Sequence, residues 1–179
     1  MTRETDAVRR ARGYMEHQAS KGLASLSALI SRTTADWSRC LETISEDQAT
    51  YRPDGEWSAK GVLGHFIVGS HEVNRKIAEY AKGPDFAATF DTDWTSGMSE
   101  DSERRRPINE LRSRVGTLFE ETKRLVDQLE DTDRLDETFG HPAFGDLNLT
   151  QWIAFERLHS MDHMQQIDKI KADPGYPTS

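Results

Sequence analysis

Apolar residues recur along this chain at intervals of three, four and seven, with no sustained alternation of the kind that marks a half-buried strand. Leu23, Leu26, Leu29, Ile30, Trp37, Leu41 and Ile44 form one such stripe and predict an amphipathic helix over about 22–44. Pro53, Asp54 and Gly55 then signal a turn, and Ser58 stands where the N-cap of a second helix belongs. That helix carries Val62, His65, Phe66, Gly69, Val73, Ile77 and Tyr80 on one face and is expected to stop at Gly83-Pro84. Its His71, six residues after His65, falls on another face and reads as surface. Pro107 suits the first turn of a third helix, with Ile108, Leu111, Val115, Leu118, Phe119, Leu125, Val126 and Leu129 along its stripe and its charged residues expected in solvent. A fourth helix is expected from about 149 to 171, ended by Asp173-Pro174-Gly175. Four apolar stripes with lengthy connections predict an all-α four-helix bundle, taken as one domain over 1–179. Residues 1–18 are a charged, helix-like lead-in with no assigned place.

Between the second and third helices, residues 83–106 show the least regularity. Phe86, Phe90, Trp94 and Met98 there need something to cover, either as a strap over the core or as a lid over a site. A helical turn within 102–106 is a further expectation. Arg104, Arg105 and Arg106 are the only dense basic run, and Asp101, Glu103 and Glu110 flank it, so local neutralisation is the simplest role.

Composition changes the picture mainly by exclusion. The 179 residues are 35% hydrophobic and 30% charged, with mean hydropathy −0.75, formal net charge −8 and pI about 5.3. That balance argues against nucleic acid or an anionic membrane as partner. No apolar run of membrane-spanning length occurs, and the charged start MTRETDAVRRARGYMEHQ lacks the core of a secretory signal, so a cytoplasmic protein is expected. The single cysteine, Cys40, rules out an internal disulfide and a thiolate zinc cluster; it lies in a helical pattern and reads as an inert thiol.

The chemistry concentrates in Arg157–Lys171, RLHSMDHMQQIDKIK. His159 and His163 are four residues apart, one turn up the same helical face. Such a pair serves either as two solvated polar groups or as two ligands to one ion, the latter requiring a third ligand from a neighbouring helix. His65, on the apolar face of the second helix, can supply it if that helix and the fourth lie side by side. Three neutral imidazoles would leave one to three positions of a divalent ion open, and zinc, nickel, iron and cobalt all suit such a set. Glu72, seven residues after His65, and Glu156, three before His159, fall on the ligand faces; each is either a general base or outer partner of the site or a solvated carboxylate. His141, in the loop before the last helix, either overhangs the site as an acid or ligand or caps a turn. Trp57 and Trp152 read as packing.

Two stretches also resemble a known family. YRPDGEWSAKGVLGHFI is similar to the "RP…WS…HL" segment of the DinB-like superfamily, and HPAFGDLNLTQWIAFERLHSMDHMQQI to its closing "HP.FG.L…W…H…H..QI" segment. The resemblance covers about 20–171, and DTDWTSGMSEDSERRRPINEL matches loosely. It implies a four-helix bundle with a metal-binding triad at His65, His159 and His163. It further implies a divalent-metal-dependent hydrolase, or a transferase using a low-molecular-weight thiol as cosubstrate, with a small organic substrate and a homodimeric assembly. Many members without known activity belong to the same family, so a non-catalytic, metal-stabilised binding or stress-response bundle is the alternative.

Overall fold

The structure is a computed structural model and describes residues 5–82 and 98–178. Helix α1 (Asp6–Ala19) leads into α2 (Leu23–Leu41), and short α3 (Glu46–Thr50) precedes α4 (Ala59–Ala81). Short α5 (Glu100–Glu103) precedes α6 (Ile108–Gln128). A hairpin of β1 (Thr138–His141) and β2 (Gly145–Asn148) then leads into α7 (Leu149–Lys171). Phe86, Phe90 and Trp94 lie outside the described residues.

The ends of these helices follow from local chemistry. Ser58 accepts from the Gly61 amide and starts α4, as its position predicts. Asn148 and Gln151 form a reciprocal capping box at the start of α7, at 2.9 and 2.8 Å. Gly22 takes φ +83° at the α1–α2 corner, a conformation other residues rarely adopt. α4 stops at Ala81, two residues earlier than the Gly-Pro signal suggested.

Helices α2, α4, α6 and α7 build the bundle, with α2 against α6 and α7, and α4 against α6 and α7. Chain neighbours α2 and α4 therefore stand diagonally, as do α6 and α7. A diagonal step must cross the end of the bundle, which accounts for the long connections. The first crossing is pinned by Glu46, which pairs with Lys60 of α4 at 2.6 Å and accepts from the Ile108 amide at the head of α6 at 2.7 Å. The second runs through the hairpin, whose facing residues Phe139 and Leu147 are both buried and where Trp152 stacks on Phe139 and donates to its carbonyl. Four-residue strands are too short to show periodicity, and the sequence pattern did not reveal them.

The lead-in has a definite place. Its Met15 is fully buried, α1 packs on α7, and Arg12 donates to the Phe144 carbonyl in the hairpin turn. With α1, α2 and α4 all against it, α7 is covered on most sides: the whole run Trp152–Glu156 is buried. Glu156, Ser160, His163, Ile167 and Ile170 of α7 are buried as well, whereas Met161 is exposed.

Three expectations are corrected. His71 is largely covered rather than on the surface, with Nδ1 3.2 Å from the buried Glu121 carboxylate of α6. Glu121 and Arg114 are thus inside, although the charged residues of α6 were expected in solvent. Trp57 is not core packing: it is 45% exposed and stands edge-on to His65. The arginine run is neutralised as expected, Arg104 by Asp101 and Arg106 by Glu103 and Glu110.

Candidate metal centre

His65 arises from the second turn of α4, and His159 and His163 from successive turns of α7 beside it. Their ring centroids are 4.5 Å (His159–His163), 5.3 Å (His65–His163) and 6.4 Å (His65–His159) apart. Among the described residues this is the only group of three or more potential ligand side chains whose donor atoms all lie within 4.8 Å of one another. Behind it is apolar core: Phe155 stacks on His159 at 5.3 Å, and Phe66 lies 5.1 Å from the same ring.

The outer nitrogen of each ring is engaged. His65 Nδ1 meets Glu100 Oε1 at 2.9 Å, His159 Nδ1 meets the Ser70 hydroxyl at 3.3 Å, and His163 Nδ1 meets Gln166 Oε1 at 3.1 Å. A carboxylate and an amide oxygen only accept, so the Nδ1 atoms of His65 and His163 carry the hydrogen. Nε2 is then left as a lone pair on each of those rings. When His159 likewise donates to Ser70, its Nε2 faces that of His163 at 2.9 Å. Two lone pairs at that distance repel unless a cation or a proton lies between them. Burial also holds His159 far below the ordinary imidazole range, to about 3, helped by the neighbouring His163 and His65; His163 is lowered by burial too. Both rings are therefore neutral at pH 7, the form a metal requires, and the donor set fits a divalent ion.

Glu156, fully buried on α7, has no hydrogen-bond partner of good geometry for either oxygen. Burial pushes its pKa up to about 7, partly offset by the nearby Ser70 hydroxyl, the group that also meets His159. Glu156 thus lies behind the triad, one hydroxyl away from a ligand. Glu72 is placed differently: Arg75 holds both of its oxygens at 2.9 Å and lowers its pKa, and it lies outside the ligand cluster. His141 caps a turn, its Nδ1 accepting from the Ala143 and Phe144 amides at 3.0 and 3.3 Å. Its ring packs with Phe144 and Phe155, and burial lowers its pKa.

Ser70, Gln166 and Glu100 were not singled out from the sequence. Gln166 was the most accessible to inference, three residues after His163 on the same helix. Glu100 had no signal at all, being 35 residues from His65 in sequence.

A groove of about 1240 Å³ opens onto this cluster. His65 and His163 form part of its wall, with Trp57, Tyr51, Gln166 and Ile170. One set of imidazoles therefore faces the core on one side and an accessible cavity on the other.

A four-helix bundle with an inward histidine triad beneath a groove defines a class of helical proteins with a candidate metal site. Residues 29–167 match the model of the DinB superfamily, and the chain belongs to that family. A curated relative, the uncharacterized protein YuaE of Bacillus subtilis (strain 168), is 20% identical over 143 residues, covering 73% of this chain and 88% of that protein. Among solved structures, YfiT from Bacillus subtilis superposes with a TM-score of 0.64 at 15% identity, covering 87% of this chain and 89% of that one. YfiT is described as a probable metal-dependent hydrolase with an unusual four-helix bundle topology. At that identity the likeness establishes the fold.

Proposed function

We propose that this protein is a divalent-metal-dependent hydrolase of small organic molecules, with His65, His159 and His163 as ligands. The observation that carries the reading is the groove: the triad is not sealed in the core, and two of its three rings line an accessible cavity. A metal that only stapled helices together would need no such opening. The description of YfiT as a probable metal-dependent hydrolase agrees with this assignment. The ion would supply Lewis acidity, bringing the pKa of a water or of a thiol toward about 7.

The chain's own residues do the rest. Glu100, Ser70 and Gln166 orient the three rings through their Nδ1 atoms. Phe66 and Phe155 keep water from the inner side of the cluster. Trp57, Tyr51 and Ile170 give the groove apolar surface beside the charged Arg52, Asp54, Glu56 and Lys169, a mixed lining suited to a polar organic substrate. Glu156, too deep to touch a molecule in the groove, acts through Ser70 on His159. Zinc, nickel, iron and cobalt are all compatible with three imidazoles.

The test is a panel of small esters, amides and activated phosphoesters, with and without a low-molecular-weight thiol, using protein loaded in turn with zinc, nickel, iron or cobalt. Turnover lost in His65→Ala and His163→Ala, and absent after chelation, supports the hydrolase; turnover only with thiol reassigns the nucleophile. No turnover with tight metal binding would favour the alternative of a non-catalytic, metal-stabilised bundle.

A further inference from the structure

α5 brings one side chain to the triad, Glu100, and the residues around α5 show how that carboxylate is placed. Three residues on, Glu103 is fully buried and held by Arg114 of α6 and by Arg106 at 3.0 Å. A buried carboxylate gripped by two guanidiniums is fixed in position, because leaving both would strand its charge uncompensated inside. On its other side α5 is seated on Gly64, the residue before His65. A Cβ at Gly64 would come within 3.0 Å of the Glu100 carbonyl oxygen and 3.1 Å of the Arg104 amide nitrogen. Ser99 and Ser102 cap the single turn reciprocally.

We propose that α5 is a positioning element for the histidine triad. The Glu103–Arg114–Arg106 cluster and the close seat on Gly64 hold the Glu100 carboxylate on His65 Nδ1, which fixes His65 as the Nδ1–H tautomer and leaves Nε2 as its free ligand atom. Glu100 is a positioning residue: it acts on bound metal or substrate through His65. The consequence for metal affinity rests on the function proposed above, whereas the tautomer does not. Glu100 itself is more than half exposed, so its removal should leave the fold intact.

The experiment uses ¹⁵N-histidine-labelled, metal-free full-length protein, and reads the His65 ring nitrogens in wild type, Glu100→Ala, Glu100→Gln and Gly64→Ala. Wild type should show the Nδ1–H form. Glu100→Ala should lose it, Gly64→Ala should reduce it because the α5 backbone must give by a few tenths of an ångström to admit the Cβ, and Glu100→Gln should keep it, since an amide oxygen still accepts. Competition for zinc with a chromogenic chelator should then show affinity about 10- to 100-fold weaker in Glu100→Ala and Gly64→Ala. The double variant should be no weaker than either. The proposal is overturned if wild-type His65 is Nε2–H, if both variants leave its tautomer unmoved, or if wild type binds zinc and both variants bind it with the same affinity. The expected tautomers in a wild type that binds no metal would remove the hydrolase reading and leave this one standing.

Discussion

Glu156→Gln should make the metal-free protein more stable at alkaline pH, by an amount set by one buried carboxyl. In the folded state burial raises this group from 4.5 to about 7, while in the unfolded chain it titrates near the ordinary value. Below pH 4.5 both states hold the proton and the group is neutral to stability. Between 4.5 and 7 the unfolded state loses its proton and the folded state keeps it, so stability falls as pH rises. At about 1.4 kcal/mol per pH unit, the gap amounts to about 3 kcal/mol by pH 8. His159 works in the opposite sense. Its folded pKa of about 3 lies below the ordinary 6.5, so its contribution is present above 6.5 and lost as pH falls toward 3. The two slopes oppose each other over most of the acidic range, and wild type alone would conceal both. The variant separates them, because it retains His159 and lacks the carboxyl. Urea unfolding of both proteins in chelator at pH 4.5 and pH 8 is the assay. The stability difference between variant and wild type should be about 3 kcal/mol more favourable to the variant at pH 8. A difference that does not change between the two pH values would refute the reasoning, showing that Glu156 finds a partner or water in the folded state.

Met15→Ala should cost about 2–4 kcal/mol, because the side chain is fully buried under α1; a change within about 0.5 kcal/mol in urea unfolding would show that α1 is not docked. Trp152→Phe keeps the stack on Phe139 and removes the hydrogen bond to its carbonyl, so a loss of about 1 kcal/mol is expected by thermal unfolding. Adding zinc at about a hundred times its Kd should stabilise the protein by about 2.7 kcal/mol, and His163→Ala should abolish that increment at the same zinc concentration.

The bundle was legible because four long stripes repeat at helical spacing and Ser58 and Pro107 mark helix starts. The triad was legible because His159 and His163 share a face and His65 lies on an apolar stripe. What was hidden depends on contacts between segments distant in sequence. The place of α1 rests on its packing against α7 with Met15 fully buried, and nothing in its charged surroundings marks that residue as core. α7 is covered by three neighbours, so buried positions such as Glu156 and Ser160 fall outside any single apolar stripe. His71 and Glu121 are covered by each other's helices, and a charged residue looks solvated until its partner is in view. Glu72 shares a helical face with His65 yet is drawn to Arg75 by a shorter path along its own helix. Glu100 reaches His65 only through α5, whose position is set by Glu103 and Gly64.

The measurement that bears most directly on the account is metal content by mass spectrometry of protein purified without an affinity tag or added metal, beside His159→Ala. The account predicts close to one divalent ion per chain in wild type and a large loss in the variant. Wild type and variant both free of metal, with no uptake of zinc, nickel, iron or cobalt and no change in melting, would contradict it.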